Sequence, residues 1–101
     1  MRRFEWDPVK ARTNRRKHGI DFEDATLVFD DPYLLTERDR REHGEQRWRS
    51  YGLVGPTIVV VTVAHTWEHE NEDEIIRIIS ARKATPWERK KYAEARTKDL
   101  S

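Results

Sequence analysis

The sequence predicts an α+β domain: an antiparallel sheet of about four strands, two helices near the N-terminus and one helix at the C-terminal end. Three observations lead there. The runs TIVVVTVA (57–64) and IIRIIS (75–80) are dense in β-branched residues, which suits strands buried on both faces. Asp7-Pro8 and Thr85-Pro86 each combine a capping side chain with a proline at the first helical position. The strand signals follow one another directly, with no internal repeat, as in a meander.

Taken in order, Phe4-Glu5-Trp6 alternates as a short strand. Asp7 caps a helix from Pro8 to about Lys17, which Gly19 stops in the left-handed conformation. Lys10, Arg12, Asn14, Arg15, Arg16 and Lys17 make this helix almost wholly polar. With only Val9 and Ala11 apolar, it should pack weakly and expose its charge. Asp21 caps a second helix, in which Phe22, Ala25, Val28 and Phe29 recur at helical spacing and should face the core, and Asp30-Asp31-Pro32 ends it.

Tyr33 to Arg38 reads as a strand, and Asp39 to Gly44 as a charged, mobile turn or loop. A strand from Gln46 to Leu53 would put Arg47, Arg49 and Tyr51 on one face, and Trp48 and Ser50 on the other. Val54-Gly55-Pro56 turns the chain into the apolar central strand Thr57 to Ala64. His65 to Asp73 is expected to be a polar, acidic, solvated hairpin loop. In the strand that follows, Arg77 stands between isoleucines and must reach solvent, an acid or an anion, because an unpaired buried charge costs several kcal/mol. The last helix begins with Thr85 as N-cap and Glu88 closing a capping box. It carries Arg89, Lys90, Lys91, Arg96 and Lys98, with Trp87, Tyr92, Ala93 and Ala95 to anchor it.

The 101 residues, 39% of them charged, fit one domain spanning 1–101 without a linker. At a mean hydropathy of -1.00 the core must come from a few clusters. No cysteine is present, which excludes disulfides and thiolate metal sites and fits a reducing cytoplasm. No apolar run approaches membrane-spanning length, and MRRFEWDP lacks the apolar core of a secretory signal.

The net charge of +1 conceals a segregation. Residues 1–20 hold seven Arg or Lys against two acids, residues 82–98 again seven against two, and residues 21–76 fourteen acids against five arginines. If the ends meet in space they form a cationic face suited to a phosphate backbone; taken alone, they are equally two solvated basic helices.

Two constellations carry possible chemistry. His65-Thr-Trp-Glu68-His69 matches H-x-x-E-H, a zinc-hydrolase signature that requires both histidines on one helix face. It follows a central strand without amphipathic spacing, which argues against zinc. The other is the basic and aromatic set of Lys17, His18, Arg47, Arg49, Tyr51, Arg77, Arg82 and Tyr92, with Trp6 and Trp48 as possible base-stacking surfaces. Cleaving RNA without metal needs a base for the 2′-hydroxyl, cations on the pentacoordinate phosphate and an acid for the leaving oxygen. Arginine and lysine suit the second role, and His18, Glu45, Lys17 or Tyr92 could share the others. Each has a plainer reading: His18 as a helix-terminal cation, the tryptophans as packing, Glu45 as a surface ion-pair partner.

FEWDPVKARTNRRKHGIDFEDATLVFDDP, EQRWRSYG and RIISARKATPWERKKY, in that order over nearly the whole chain, resemble the BrnT family of type II toxin-antitoxin toxins. The resemblance implies a RelE-like fold, metal-independent RNA cleavage without a cofactor, arrest of translation, and neutralisation by a BrnA-like ribbon-helix-helix antitoxin. It further implies a toxin–antitoxin heterotetramer that binds and represses its own promoter DNA. Carried over by position, the family's motifs fall on Lys17, His18 and Gly19, on Glu45 and Arg47, on Arg77 to Arg82, and on Tyr92. Arg47 and Arg77 are then the expected transition-state clamps, with Lys17 or His18 for proton transfer. Glu45 and Tyr92 complete the catalytic candidates, and Arg49, Arg82, Lys83, Lys90, Lys91 and Trp6 are expected to bind RNA. The acidic segment His65 to Asp73 departs from the family pattern as a longer hairpin. A non-catalytic RNA-binding or co-repressor subunit is the alternative from another class, and a zinc hydrolase is a distant third.

Overall fold

The computed structural model describes residues 1–55 and 59–99. The chain runs through β1 (Arg2–Glu5), α1 (Pro8–His18), α2 (Phe22–Ala25), a 3₁₀ segment (Thr26–Asp30), β2 (Leu35–Glu42), β3 (Glu45–Val54), β4 (Val59–Glu70), β5 (Asp73–Lys83) and α3 (Pro86–Asp99). Among the described residues the strands form a five-stranded sheet in the order β1-β5-β4-β3-β2. The expected antiparallel meander is there as β2 to β5. The strand count and the purely antiparallel character are corrected, because β1 adds a fifth strand parallel to β5, with Arg2 opposite Glu74 and Glu5 opposite Arg77. Arg2 Nε fixes that register through a 2.8 Å bond to Glu74.

The helix placement also differs. The second helix is one turn, Phe22–Ala25, which tightens into the 3₁₀ segment where the Thr26 hydroxyl donates to the Glu23 carbonyl, a local bond that competes with helix continuation. The expected apolar quartet nevertheless faces the core: Phe22, Ala25, Val28 and Phe29 pack on Val61, Val63, Ile76, Ile78 and Ala81. Gly52 admits this close approach, since a Cβ there would stand 2.9 Å from the Val28 carbonyl oxygen.

Two expected loops are strand. Asp39–Glu42 extends β2, so that the turn shrinks to His43-Gly44, both at positive φ (52° and 78°), as tight hairpins require. His65–Glu70 extends β4, and Asn71, at φ 58°, lies in the turn to β5. Acidic composition alone reads as a loop, whereas antiparallel strands can keep polar side chains in water on one face. Pro56, Thr57 and Ile58, expected in the turn and the start of the central strand, lie outside the described residues.

α1 begins and ends as its caps dictate. The Asp7 carboxylate accepts from Val9 N, and Gly19 closes it at φ 73°. Its packing is not the expected weak apolar contact. β1 ends opposite Arg77, and beyond it Asn14, 5% exposed, takes over the outer edge of β5. The Asn14 side chain accepts from Ala81 N at 3.0 Å and donates to Ala81 O at 2.9 Å and to Ile20 O at 3.0 Å. One amide thus satisfies the edge backbone as a strand would.

α3 lies against the opposite sheet face. Its capping box forms as expected, Thr85 N donating to Glu88 at 2.9 Å and Glu88 N to the Thr85 hydroxyl at 3.2 Å. No helix among the described residues is long and apolar enough to cross a membrane.

Candidate functional site

The site stands on the sheet face that α3 covers only in part. Cross-strand pairs place Tyr51, Thr62 and Arg82 in one row and Arg49, Ala64 and Ser80 in the next. Alternation puts Arg47 on the same face, and Thr66 stands opposite Arg77 in a further row. In the first row Tyr51 and Thr62 are buried beneath α3, while Arg82 stays partly exposed. Over the Arg49 row the face opens into a cavity of about 320 Å³, lined by Arg47, Arg49 and Arg82 with Asp39, Glu42 and Ser80.

Every arginine of this face meets a carboxylate. Arg47 pairs with Glu42 at 2.9 Å, Arg77 with Glu45 at 2.6 Å and Arg82 with Glu88 at 2.7 Å. Arg49 is 3.9 Å from Asp39 and 4.0 Å from Glu88. Only Arg82 comes from a basic end of the chain; Arg47, Arg49 and Arg77 are paired by acids of the middle segment, which largely neutralises this face. Two buried donors make no hydrogen bond among the described residues: Nε of Arg47, and Nε of Arg49, whose 3.9 Å contact with Asp39 is too long for one. A buried donor on a guanidinium costs free energy until an acceptor reaches it. Both residues line the cavity.

Glu88 organises one wall. Its carboxylate accepts both Nη1 and Nη2 of Arg82, the Thr62 hydroxyl and Thr85 N. Burial alone would raise its pKa, but these bonds outweigh it and bring the carboxyl down to about 2. The sequence announced Glu88 only as a cap. Its hold on Arg82 and Thr62 depends on which strand α3 crosses, which no local pattern encodes.

Lys17 and His18, in the last turn of α1, line a separate cleft of about 240 Å³ together with Lys10 and Thr13. The two hollows share Ile79 and Ser80. These lie at a register shift in β5, where Ser80 pairs with Ala64 and Ile78 with His65, leaving Ile79 as an extra residue. The structure therefore brings Arg47, Arg49 and Arg82 together, and sets Lys17 and His18 across the Ile79–Ser80 ridge. Lys10, Thr13, Asp39, Glu42 and Ser80 were missed in the sequence; Asp39 and Glu42 were hidden by the loop reading.

Other expected site residues are placed elsewhere. Tyr92 is 2% exposed and its hydroxyl donates to the Asp31 carboxylate, which also accepts from Leu53 N and Tyr33 N. Burial and that carboxylate push its phenol up. It joins α3 to the end of the 3₁₀ segment and does not line the cavity. Trp6, partly exposed, packs edge-on against Phe22, ring centres 6.0 Å apart. Trp48 packs edge-on to Trp67 at 5.4 Å. Glu45, expected beside Arg47 or Arg49, pairs with Arg77, and Arg77 stands outside the cavity lining. Lys91 is held by Glu37 at 2.8 Å, while Lys83 and Lys90 are exposed, Lys90 beside the exposed Trp87 ring.

The H-x-x-E-H match lies along a strand. His65 is 1% exposed, its Nδ1 at 3.0 Å from the Thr66 carbonyl and its Nε2 at 2.7 Å from the Ser50 hydroxyl. Since a carbonyl only accepts, Nδ1 carries the proton and Nε2 accepts from Ser50, which in turn accepts from Thr36. Both ring nitrogens are committed, so His65 cannot ligate a metal beside His69. The expected solvated loop is corrected to a buried histidine, whose pKa burial lowers.

Compared with known proteins, residues 6–88 match the family model described as "Ribonuclease toxin, BrnT, of type II toxin-antitoxin system". No curated protein matches the chain.

Proposed function

The chain belongs to the BrnT family of type II toxin-antitoxin ribonuclease toxins, and from that membership we propose that it cleaves single-stranded RNA without a metal ion by attack of the ribose 2′-hydroxyl. The observation that carries this reading is the convergence of Arg47, Arg49 and Arg82 on one cavity, with the Nε groups of Arg47 and Arg49 making no hydrogen bond among the described residues. A phosphate oxygen suits this cavity, because its guanidinium groups offer charge and hydrogen bonds together. As the 2′-oxygen attacks phosphorus and the 5′-oxygen leaves, charge builds on the equatorial oxygens, where fixed donors are most effective. Lys17 or His18, across the Ile79–Ser80 ridge, moves the proton. Arg77, held by Glu45, is the outer clamp. The products are a 2′,3′-cyclic phosphate and a 5′-hydroxyl, and cleavage of messenger or ribosomal RNA arrests translation.

Membership of a type II system implies an antitoxin partner. In this proposal the fold is a RelE-like variant, acting in the cytoplasm. The partner is a BrnA-like ribbon-helix-helix protein that forms a heterotetramer with the toxin and represses the shared promoter. The ion pairing of Arg47 and Arg77 by Glu42 and Glu45 favours one second reading, a non-catalytic RNA-binding or co-repressor subunit whose basic groups are already satisfied.

Product chemistry separates the two. End-labelled single-stranded RNA should give cyclic-phosphate ends, and a 2′-deoxy substitution at the cleaved nucleotide should abolish them. Bound but uncut RNA, also in the presence of ribosomes, supports the second reading.

A further inference from the structure

The cleft between α1 and β5 differs in charge from the arginine cavity beside it. Acidic side chains are built into the cavity wall, Asp39 and Glu42 among them. The α1 cleft is lined by Lys10, Thr13, Lys17 and His18 and, among the described residues, by no carboxylate. Neither Lys10 nor Lys17 makes an ion pair among the described residues. Helical spacing brings positions 10, 13, 14 and 17 to one side of α1, and Asn14 on that side clamps the helix to the β5 edge through Ala81. The cleft is therefore preformed.

Between the two hollows stands Ile79, the extra residue at the β5 register shift, partly exposed and bordering both. Basic donors on either side of one apolar ridge match a chain with a phosphate at each end of a nucleoside. A single mononucleotide would leave one of the hollows empty.

We infer that the α1 cleft is a second nucleotide subsite, in which Lys10, with Thr13, takes the phosphate next to the one at Arg47 and Arg49, while Ile79 contacts the nucleoside between them. The inference rests on the arginine cavity being a phosphate site and assigns its substrate as a single strand with at least two phosphates. Lys10 binds the strand and takes no part in the chemistry.

The test is equilibrium binding of fluorescein-labelled, uncleavable 2′-O-methyl RNA of two, four and six nucleotides across a salt series. Wild-type affinity should rise with length. Lys10→Ala should lose several-fold affinity for the longer strands and none for the dinucleotide, with a salt slope shallower by about 0.7, the single-strand value for one phosphate contact. Arg12→Ala removes the same charge from another face of α1, where it lines a hollow with Arg15 and Phe22, and should leave the length dependence intact. Three results would each overturn the subsite: Lys10→Ala matching wild type at every length, an equal loss with Arg12→Ala, or no binding by wild type. Cleavable RNA run in parallel keeps the readings apart. Length-dependent binding without cleavage removes only the ribonuclease reading, and cleavage with Lys10→Ala indistinguishable from wild type in binding removes only the subsite.

Discussion

Arg77 on β5 and Glu45 on β3 meet at 2.6 Å across the intervening strand β4. The arginine that interrupts an isoleucine run thus reaches the acidic partner its position demands. The pair is partly solvated, with side chains 43% and 33% exposed, so it should contribute no more than about 1 kcal/mol to stability. Arg77→Ala is accordingly expected to unfold within about 1 kcal/mol of wild type while losing about 10²-fold in RNA cleavage as the outer clamp is removed. Urea unfolding and single-turnover cleavage on the same preparation check both halves, and unchanged cleavage would remove Arg77 from the mechanism.

Glu88 gives the fold an acid-sensitive joint. Its pKa, near 4.5 in an unfolded chain, is about 2 in the folded one, so the folded state binds fewer protons. Its stabilisation is therefore complete above about pH 4.5 and lost progressively as pH falls toward 2. Glu88→Gln should flatten that loss and cost about 1–3 kcal/mol at neutral pH, because one neutral amide oxygen cannot replace the two carboxylate oxygens that accept from Arg82, Thr62 and Thr85 N. Unfolding midpoints measured from pH 7 to pH 2 for both proteins should show the two curves converging at low pH.

Asn14 should count for more than any apolar residue of α1. Asn14→Leu leaves Ala81 N and O without partners at a buried edge, at a cost of about 2–4 kcal/mol. Hydrogen exchange at the Ala81 amide should accelerate well before global unfolding in this variant, whereas Val9→Ala, at an exposed position, should leave it unchanged.

Tyr92→Phe separates structure from chemistry at the terminal helix. Losing the hydroxyl's bond to Asp31 should lower stability by about 1.5–3 kcal/mol and leave kcat within a few-fold of wild type at a temperature where both are folded. A 10²-fold fall in kcat would return Tyr92 to the catalytic set.

What could be read from the sequence was local. The Thr85–Glu88 capping box, the Asp7 cap, Gly19 and the Phe22–Phe29 face all depend on residues within about one or two turns of each other, and each forms as expected. Alternation also gave the correct face to Arg47, Arg49 and Tyr51, as Arg49 and Tyr51 opposite Ala64 and Thr62 attest. Long-range satisfaction of polar groups was out of reach. Nothing near Asn14 announces that it will complete an edge 67 residues away, and a four-residue β1 carries too little pattern to name β5 as its partner. His65 did leave a signal, standing in phase with Val61 and Val63 on the core face. The acidic residues after it obscured that phase. Neutralisation of Arg49 and Arg47 by Asp39 and Glu42 was illegible for the same reason, since those acids come from a hairpin that composition marked as a loop; ion pairing by Glu45 was legible, but not Arg77 two strands away as its partner.

Metal-free cutting of RNA at the Arg47–Arg49 cavity is decided by cleavage of end-labelled single-stranded RNA by antitoxin-free protein in EDTA, beside Arg47→Ala and Arg49→Ala. Wild-type cleavage should survive EDTA, and each variant, folded by circular dichroism, should be slower by about 10²-fold or more. Cleavage abolished by EDTA, or retained at the wild-type rate in both variants, would contradict it.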